Sequence, residues 1–563
     1  MAGASKQTLQ FLGRRTDEHE FFNPIPRGYR KGATKYVVVT GSVISGLGKG
    51  VLTASIGRLL KKMGLNVTPI KFDGYLNVDA GTLNPFRHGE VFVLDDGTEC
   101  DMDLGTYERF LDSNLSSMNY LTAGKIFKLI IDKERAGKYL GKDVLFIPHV
   151  TGEIKKIIRE LAMKTKADIV LVEVGGTVGD IENSYFIEAM RELAHEEGRK
   201  NVCFINVTYI LEPPSIGEQK SKAAQLGVKT LMSLGIQPNI IICRSERELF
   251  YKIKEKLSVY SNVPVSHIIS APNVQTVYEV PLLLKKENLH QKICSVLGMR
   301  KKIKKISMNK WKKFIEKVKN PSSKITVVMA GKYTRLRDSY VSILEALTHA
   351  GAANDCRVMV EWLETSRRDN VMKKILEKAD GLIVPGGFGS RGVEGKIKCI
   401  KYARENHVPF LGLCYGFQLA VVEFARHVCK LKRAHTTEVD PKTPHPVVFL
   451  LPEQLQKEYV GASMRLGAKE VEIIPNTLAY RLYKKKSVRE RFRHRYEVNP
   501  EYVQILEEHG FVFSGKAPNQ PIVQIGELPS HRFFMGTQFH PEFTSRPLKP
   551  HPIFDGFIKA CIE

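Results

Sequence analysis

Two α/β domains, each built on a parallel sheet, are predicted by three features of the sequence. The first is Tyr36-Val-Val-Val-Thr-Gly-Ser-Val-Ile-Ser-Gly-Leu-Gly-Lys-Gly50, a β-branched run that empties into glycines and one lysine. The second is an alternation of short apolar runs and helical stretches over residues 35–298, the pattern of strands buried on both faces. The third is a fresh start of the same pattern at Lys324-Ile-Thr-Val-Val-Met-Ala330, after a lysine-rich helical stretch and Pro321-Ser-Ser. At 563 residues the chain is too long for one core. The expected division is a loosely ordered N-terminal extension over 1–34, a first domain over 35–298, a basic helical linker over 299–323 and a second domain over 324–563.

Val37, Val38 and Val39 suit a buried strand, and Ala54, Ile56, Leu59 and Leu60 continue at helical spacing, so the glycines fall where a helix begins. There the free N–H groups and the positive end of the helix dipole can hold phosphate. Gly46, Gly48 and Gly50 admit close approach, and Lys49 adds charge. Gly50 stands where the usual phosphate loop has Ser or Thr, so a glycine-rich turn without a ligand is the competing reading. Asn66-Val-Thr-Pro-Ile-Lys-Phe-Asp73 reads as a second strand ending in Lys71 and Asp73, at the carboxyl end where ligands of open α/β sheets gather. His88 to Gly97 reads as a strand with a turn. After it, Asp101 and Asp103 share one side of an extended segment, with a solvated acidic turn as the alternative. Glu173 sits among aliphatics in the strand that starts at Asp168. A buried acid must be paired or metal-bound, and with Asp103 it fits Mg²⁺ beside triphosphate oxygens. Val202 to Ile210 and Ile236 to Cys243 read as further strands.

In the second domain, Val408-Pro-Phe-Leu-Gly-Leu-Cys-Tyr-Gly-Phe-Gln418 reads as strand, sharp turn and helix, with Cys414 between Gly412 and Gly416. This is the logic of a nucleophile elbow: small neighbours permit the turn, and the helix N-terminus favours the thiolate. A buried structural cysteine is the alternative. In Phe539-His-Pro-Glu-Phe543, an extended chain would point His540 and Glu542 the same way, so that Glu542 orients His540 as base for Cys414. Pro385-Gly-Gly-Phe-Gly389 closes another strand and can offer N–H groups to an oxyanion.

The formal charge of +25 suits anionic substrates, but much of it is concentrated between Arg300 and Lys319 and between Lys484 and Arg495. A solvated linker face accounts for the first run, and without an aromatic-studded RNA-binding motif nucleic acid is not an expected partner. No run of about 18 apolar residues is present, so no membrane span is expected. The N-terminus lacks the apolar core of a signal peptide, and nine irregularly spaced cysteines fit reduced thiols and a cytoplasmic location.

Gly386-Gly387, the Gly412-Leu-Cys414-Tyr-Gly416 elbow and His540-Pro-Glu542 resemble a class I glutamine amidotransferase domain. Ser45-Gly-Leu-Gly-Lys-Gly50, His88-Gly-Glu-Val-Phe, Glu173-Val-Gly-Gly-Thr-Val-Gly-Asp-Ile-Glu182 and Gly217-Glu-Gln-Lys220 are similar to the P-loop-type amidoligase domain of the CTP synthase family. The resemblance implies a ligase of pyrimidine nucleotide biosynthesis that uses UTP, ATP and L-glutamine, with Mg²⁺, GTP as a candidate allosteric activator, and assembly into homotetramers and filaments. It implies ATP binding by Gly46, Leu47, Gly48, Lys49, Gly50 and Asp103, metal binding by Asp103 and Glu173, and phosphate stabilisation by Lys71. UTP or CTP would lie at Ser45, Asp180, Ile181, Glu182, Lys220, Ser221, Lys222, Gln225 and Lys256. Glutamine would lie at Gly387, Tyr415, Gln418, Glu438 and Arg495, with Cys414, His540 and Glu542 catalytic. The resemblance departs at Lys220-Ser-Lys-Ala-Ala-Gln225 and Leu226, where the family has Pro and Thr in place of Ala223 and Ala224. The lost hydroxyl predicts weaker UTP and CTP binding. It leaves open a second reading, a divergent member serving as glutaminase or structural subunit.

Overall fold

The structure, a computed structural model, describes residues 22, 24–139, 142–215, 217–331, 337–450 and 464–563. The chain divides into two compact units: residues up to Asp79 with Met118–Ser307, and Ala80–Ser117 with Met308–Glu563. Residues 80–117, which the sequence places inside the first domain, thus pack with the second unit.

Among the described residues, the first unit has seven strands in one sheet. They are β1 (Lys35–Gly41), β2 (Val67–Asp73), β3 (Tyr120–Thr122), β4 (Ile169–Val174), β5 (Val202–Tyr209), β6 (Ile240–Ser245) and β7 (Ile268–Pro272). Their order is β3-β2-β4-β1-β5-β6-β7, and every pair is parallel. Covering helices bury both faces of such a sheet, which is why its strands read as unbroken apolar runs. Central β1 leads into α1 (Lys49–Lys62), whose Ala54, Ile56, Leu59 and Leu60 are buried. Two more helices, α2 (Lys222–Ser233) and α3 (Tyr251–Ser261), pack on an apolar cluster that includes Ile210 and Ile241.

The extension is not loose where it is described. Phe22 stacks on His149 with ring centroids 5.1 Å apart, the Tyr29 and Tyr36 hydroxyls lie 2.6 Å apart, and Gly32 N donates to Glu197. Residues 1–21 and 23 of that extension lie outside the described residues.

In the second unit, α4 (Asn309–Lys319) buries Trp311, Phe314 and Ile315, and Trp311 meets the edge of Phe110. Most of its lysines face solvent, so the second half of the basic stretch is an amphipathic helix of this unit, while Arg300–Lys302 belong to the first unit, where Lys302 reaches Asp168 at 2.7 Å. The main sheet contains β8 (Ser323–Gly331), β9 (Cys356–Glu364), β10 (Gly381–Val384), β11 (Phe410–Leu413), β12 (Arg465–Ile473), β13 (Ser487–His494), β14 (Val512–Lys516), β15 (Val523–Glu527) and β16 (Phe534–Thr537). The order is β9-β8-β10-β11-β16-β15-β14-β12-β13. The first five are parallel neighbours; from β16 onward every pair is antiparallel. The second sheet is therefore mixed, which corrects the expectation of two parallel sheets. The basic run after Lys484 is largely its edge strand β13, a half-solvated strand with no apolar run to reveal it. Helices α5 (Val393–Glu405) and α6 (Tyr415–His427) pack on the parallel half.

Residues 80–117 enter this unit as a short hairpin, Phe92–Val93 with Glu99–Cys100, and a helix, Met102–Leu111. Asp101 caps that helix by accepting from Asp103 N, and Asp103 lies in its first turn, so the extended segment expected there is a helix start. The seam is charged and buried. Arg491 donates to Asp95 at 2.6 Å and to Glu108 at 2.8 Å, Arg546 reaches Glu108 at 2.9 Å, and Arg493 reaches Glu99 at 2.7 Å. Gly467, at φ +80°, admits the hairpin: a Cβ there would lie 2.6 Å from Gly97 N. Removing one partner from a buried network strands the others. Glu108→Ala, which takes the carboxylate from Arg546 and leaves Arg491 with Asp95 alone, is expected to cost about 3–5 kcal/mol in a denaturant titration. A loss below about 1 kcal/mol, the range of exposed pairs, would mean that the arginines find water.

Candidate functional site

Cys414 stands between β11 and α6 at φ 49° and ψ −98°, a strained turn that its neighbours make room for. A Cβ at Gly412 would meet Gly416 C at 2.8 Å, and one at Gly416 would meet Val384 O at 2.0 Å. The thiol lies 3.6 Å from Arg493 O and accepts from Gln538 Nε2 at 3.6 Å. His540 Nδ1 and Glu542 Oε1 are 2.7 Å apart, paired across the start of a 3₁₀ turn over Pro541–Thr544 and not along the extended chain expected. At His540 burial disfavours the charged ring, but Glu542 and Cys414 outweigh it and push the imidazole up from 6.5 to about 10. The ring therefore contributes stability that is full below 6.5 and lost as pH rises through about 10. Glu542→Gln removes the larger of those two raising influences, so the alkaline limb of any reaction that uses Cys414 with a charged His540 should move to lower pH by on the order of one unit or more. A pH profile of kcat/KM with the limb unmoved would exclude Glu542 as the partner that charges His540.

A cavity of about 470 Å³ opens beside this group, lined by Gly386, Gly387, Cys414, Gln418, Glu438, Arg495, His540 and Glu542 among others. Gly386 is wedged in: a Cβ there would come within 3.0 Å of His540 Cε1 and 3.8 Å of Cys414 Cβ. Burial pushes the Glu438 carboxyl up, against the Gly389 N–H, Arg495 and Lys396. Three wall residues, Gly81, Glu90 and Val91, come from the 80–117 segment. Glu90 accepts from Ser342 N at 3.0 Å and from its hydroxyl at 2.5 Å. Burial and, in smaller measure, Glu542 push Glu90 up to about 7.

In the first unit, the turn after β1 carries Ser45, Gly46, Leu47 and Gly48, and Lys49 and Gly50 open α1. Gly46 at φ 71° and Gly48 at φ 76° hold left-handed backbone. The Lys49 side chain lies over Gly41, where a Cβ would be 2.9 Å from its Nζ, and donates to Gly176 O at 2.7 Å. Lys71 and Glu173 are register partners on β2 and β4, with Nζ 3.3 Å from Oε1, and Asp73 is 3.8 Å from the same ammonium. Glu173 is only 1% exposed, and this pairing answers the requirement that a buried acid have a partner.

A second cavity in this unit, of about 440 Å³, is lined by Lys220, Ser221, Lys222, Gln225, Lys252 and Lys256, together with Glu218 and Phe250. Four lysines, two around the start of α2 and two in the first half of α3, stand against one carboxylate and give the lining a net positive charge. Ala224 does not face it. Its side chain is fully buried in the apolar cluster with Ile210, Val228 and Ile241, so a threonine hydroxyl there would point into the core. The weaker nucleotide binding expected from Ala224 loses its basis, and with it the case for a divergent member.

The family model for the CTP synthase N-terminus matches residues 35–299, and that for class-I glutamine amidotransferase matches residues 335–560. A CTP synthase from Thermococcus gammatolerans is 52% identical over 531 residues, 94% of this chain and 99% of that protein. Another from Geobacillus kaustophilus is 49% identical over 532 residues, 94% of this chain and 100% of its own. The chain belongs to the CTP synthase family. A solved Trypanosoma brucei CTPS glutaminase domain with bound acivicin is 35% identical, covering 42% of this chain and 94% of its own, at TM-score 0.40.

The residues singled out by resemblance to the CTP synthase family sort as follows. Cys414, His540, Glu542, Gly387, Gln418, Glu438 and Arg495 share one cavity, whereas Tyr415 is not among its lining and lies behind the wall, 1% exposed. Lys220, Ser221, Lys222, Gln225 and Lys256 share the other, but Asp180, Ile181 and Glu182 do not line it; they follow β4 on the surface, Ile181 84% exposed. Asp103 belongs to the second unit and Glu173 to the first. Sequence reasoning missed Gln538, although it directly precedes the Phe539-His-Pro-Glu run. It missed Lys252, whose signal is its spacing of four from Lys256 on one helix. Glu90 was legible only as part of a first-domain motif.

Proposed function

We propose that this protein makes CTP from UTP, with ATP as phosphoryl donor and ammonia taken from glutamine. The supporting observation is that one chain carries both a thiol, imidazole and carboxylate lining one cavity and a phosphate loop, with Lys71 paired to Glu173 in the same unit as that loop. Cys414 Sγ attacks the glutamine amide carbon, His540 passes a proton to the leaving ammonia, and water hydrolyses the thioester to glutamate. Gly387 and its neighbours face the oxyanion, and Glu438 and Arg495 hold the amino acid's charged ends. Lys49 and the loop N–H groups hold the ATP phosphates while Lys71 steadies the phosphoryl group moving to O4 of UTP. Ammonia then adds at C4 and phosphate leaves. The buried oxygen of Glu173 suits a hard cation, so it would hold Mg²⁺, which neutralises triphosphate charge when bound. The lysine cavity takes the pyrimidine triphosphate, and GTP is proposed as activator of the glutamine step.

A cytoplasmic homotetramer is part of the same proposal. All nine cysteines are free and buried, and among the described residues no helix is long and apolar enough to cross a membrane. Ile131, Leu145, Phe146 and Ile147 are each more than half exposed, an apolar surface that a second copy would cover. The deciding assay follows the absorbance change from UTP to CTP with ATP and Mg²⁺, using glutamine in one arm and ammonia in the other. Turnover in neither arm, with UTP and ATP saturating, would end this reading.

A further inference from the structure

Both polar groups of the Gly389 peptide unit's residue are held by side chains. Its N–H donates to Glu438 Oε1 at 2.8 Å, and its carbonyl accepts from the Tyr415 hydroxyl at 2.8 Å. Gly389 has φ +80°, a conformation that would not hold itself, and it ends the Gly386–Gly389 stretch that runs past His540 and Cys414. Tyr415 is the first residue of α6, directly after Cys414, so the turn that aims the thiol also aims this hydroxyl. The ring is fixed from behind: Lys396 of α5, 3% exposed, places Nζ 5.0 Å from the ring centroid. A Cβ at Gly387 would be 3.9 Å from both Lys396 Nζ and Tyr415 Cδ1, so ring and ammonium form the back of the loop whose front faces the cavity.

We infer that Tyr415 is a positioning residue for glutamine hydrolysis: its hydroxyl clamps the Gly389 carbonyl and holds the Gly386–Gly389 N–H groups where the tetrahedral oxyanion forms. This rests on the reading that Cys414 attacks glutamine, and it replaces the expectation that Tyr415 contacts the substrate. Donors preset for the oxyanion act on the transition state more than on the bound substrate, so the signature is a fall in kcat with little change in KM.

The test compares Tyr415→Phe and Tyr415→Leu with the parent in glutamine hydrolysis by the full-length protein. Phe keeps the ring over Lys396 and removes only the hydroxyl. Both variants should lose about tenfold in kcat, with KM within about twofold. Inhibition by the γ-aldehyde analogue of glutamine, whose thiohemiacetal carries the same oxygen, should weaken about tenfold in both. Alkylation of Cys414 by iodoacetamide forms no oxyanion and should stay within about twofold of the parent. Parent-like kcat in the Phe variant, with loss only in the Leu variant, would assign Tyr415 to packing and overturn the inference alone. Alkylation falling in step with kcat would also overturn it. Hydrolysis that persists in Cys414→Ala, or is absent from the parent, would overturn the underlying reading as well.

Discussion

Cys414→Ala is expected to abolish CTP formation from glutamine, by about four orders of magnitude or more, while formation from free ammonia persists. In the proposed reaction the thiol takes part only in making ammonia, and its neighbours Gln538, His540 and Gly386 belong to the same compact unit as Cys414 itself. The strained backbone at Cys414 is set by Gly412, Gly416 and Thr537 O, none of which needs the sulfur, so Ala fits the turn. Steady-state rates with each nitrogen donor decide the matter. Equal loss in both arms would show that Cys414 is structural or that the two steps cannot be separated.

Lys49→Ala should instead lower turnover with either donor by about two to four orders of magnitude, since a phosphoryl-transfer step precedes amination in both. Lys49 starts α1 and its ammonium reaches across Gly41 to Gly176 O, so its charge lies where the ends of β1 and β4 meet the helix N-terminus. Lys49→Arg keeps the charge but cannot lie over Gly41 in the same way, and should recover only part of the rate. Ammonia-dependent turnover within about twofold of the parent at saturating ATP would remove the loop from the phosphoryl-transfer step.

What the sequence made legible was what leaves a local trace. Val37 to Val39 announce a doubly covered strand, the glycines around Lys49 announce a phosphate turn, and the small residues flanking Cys414 announce an elbow. Each is a constraint between neighbours in sequence. What it left hidden is long-range or polar. The edge strand β13 and its neighbour β12 mix exposed and buried positions, so β13 reads as a charge run. Asp101 and Asp103 read as one side of an extended segment because a capping aspartate and a first-turn aspartate have the same spacing as two residues on one side of a strand. Tyr415 follows Cys414 in sequence, but its side chain is buried and its hydroxyl is taken up by Gly389 O, a long-range bond that leaves no trace between neighbours. Nothing in residues 80–117 foretells that Asp95, Glu99 and Glu108 find their arginines in the second unit.

That last arrangement sets a clock on biosynthesis. Glu108 and Arg546 are 438 positions apart in the chain, so at ordinary translation speeds of about 5–20 residues per second the carboxylate waits about 20–90 s for that cation. Until then the helix Met102–Leu111 has no finished core to enter, and the first sheet must close around a loop whose destination has not yet been made. A nascent chain cut after residue 298 would carry three acids without their partners, while a fragment beginning at 299 would carry the arginines without their acids. The two sheets of this protein are consequently not interchangeable modules: neither can be exchanged by a single crossover in the gene without stranding buried charge in both halves.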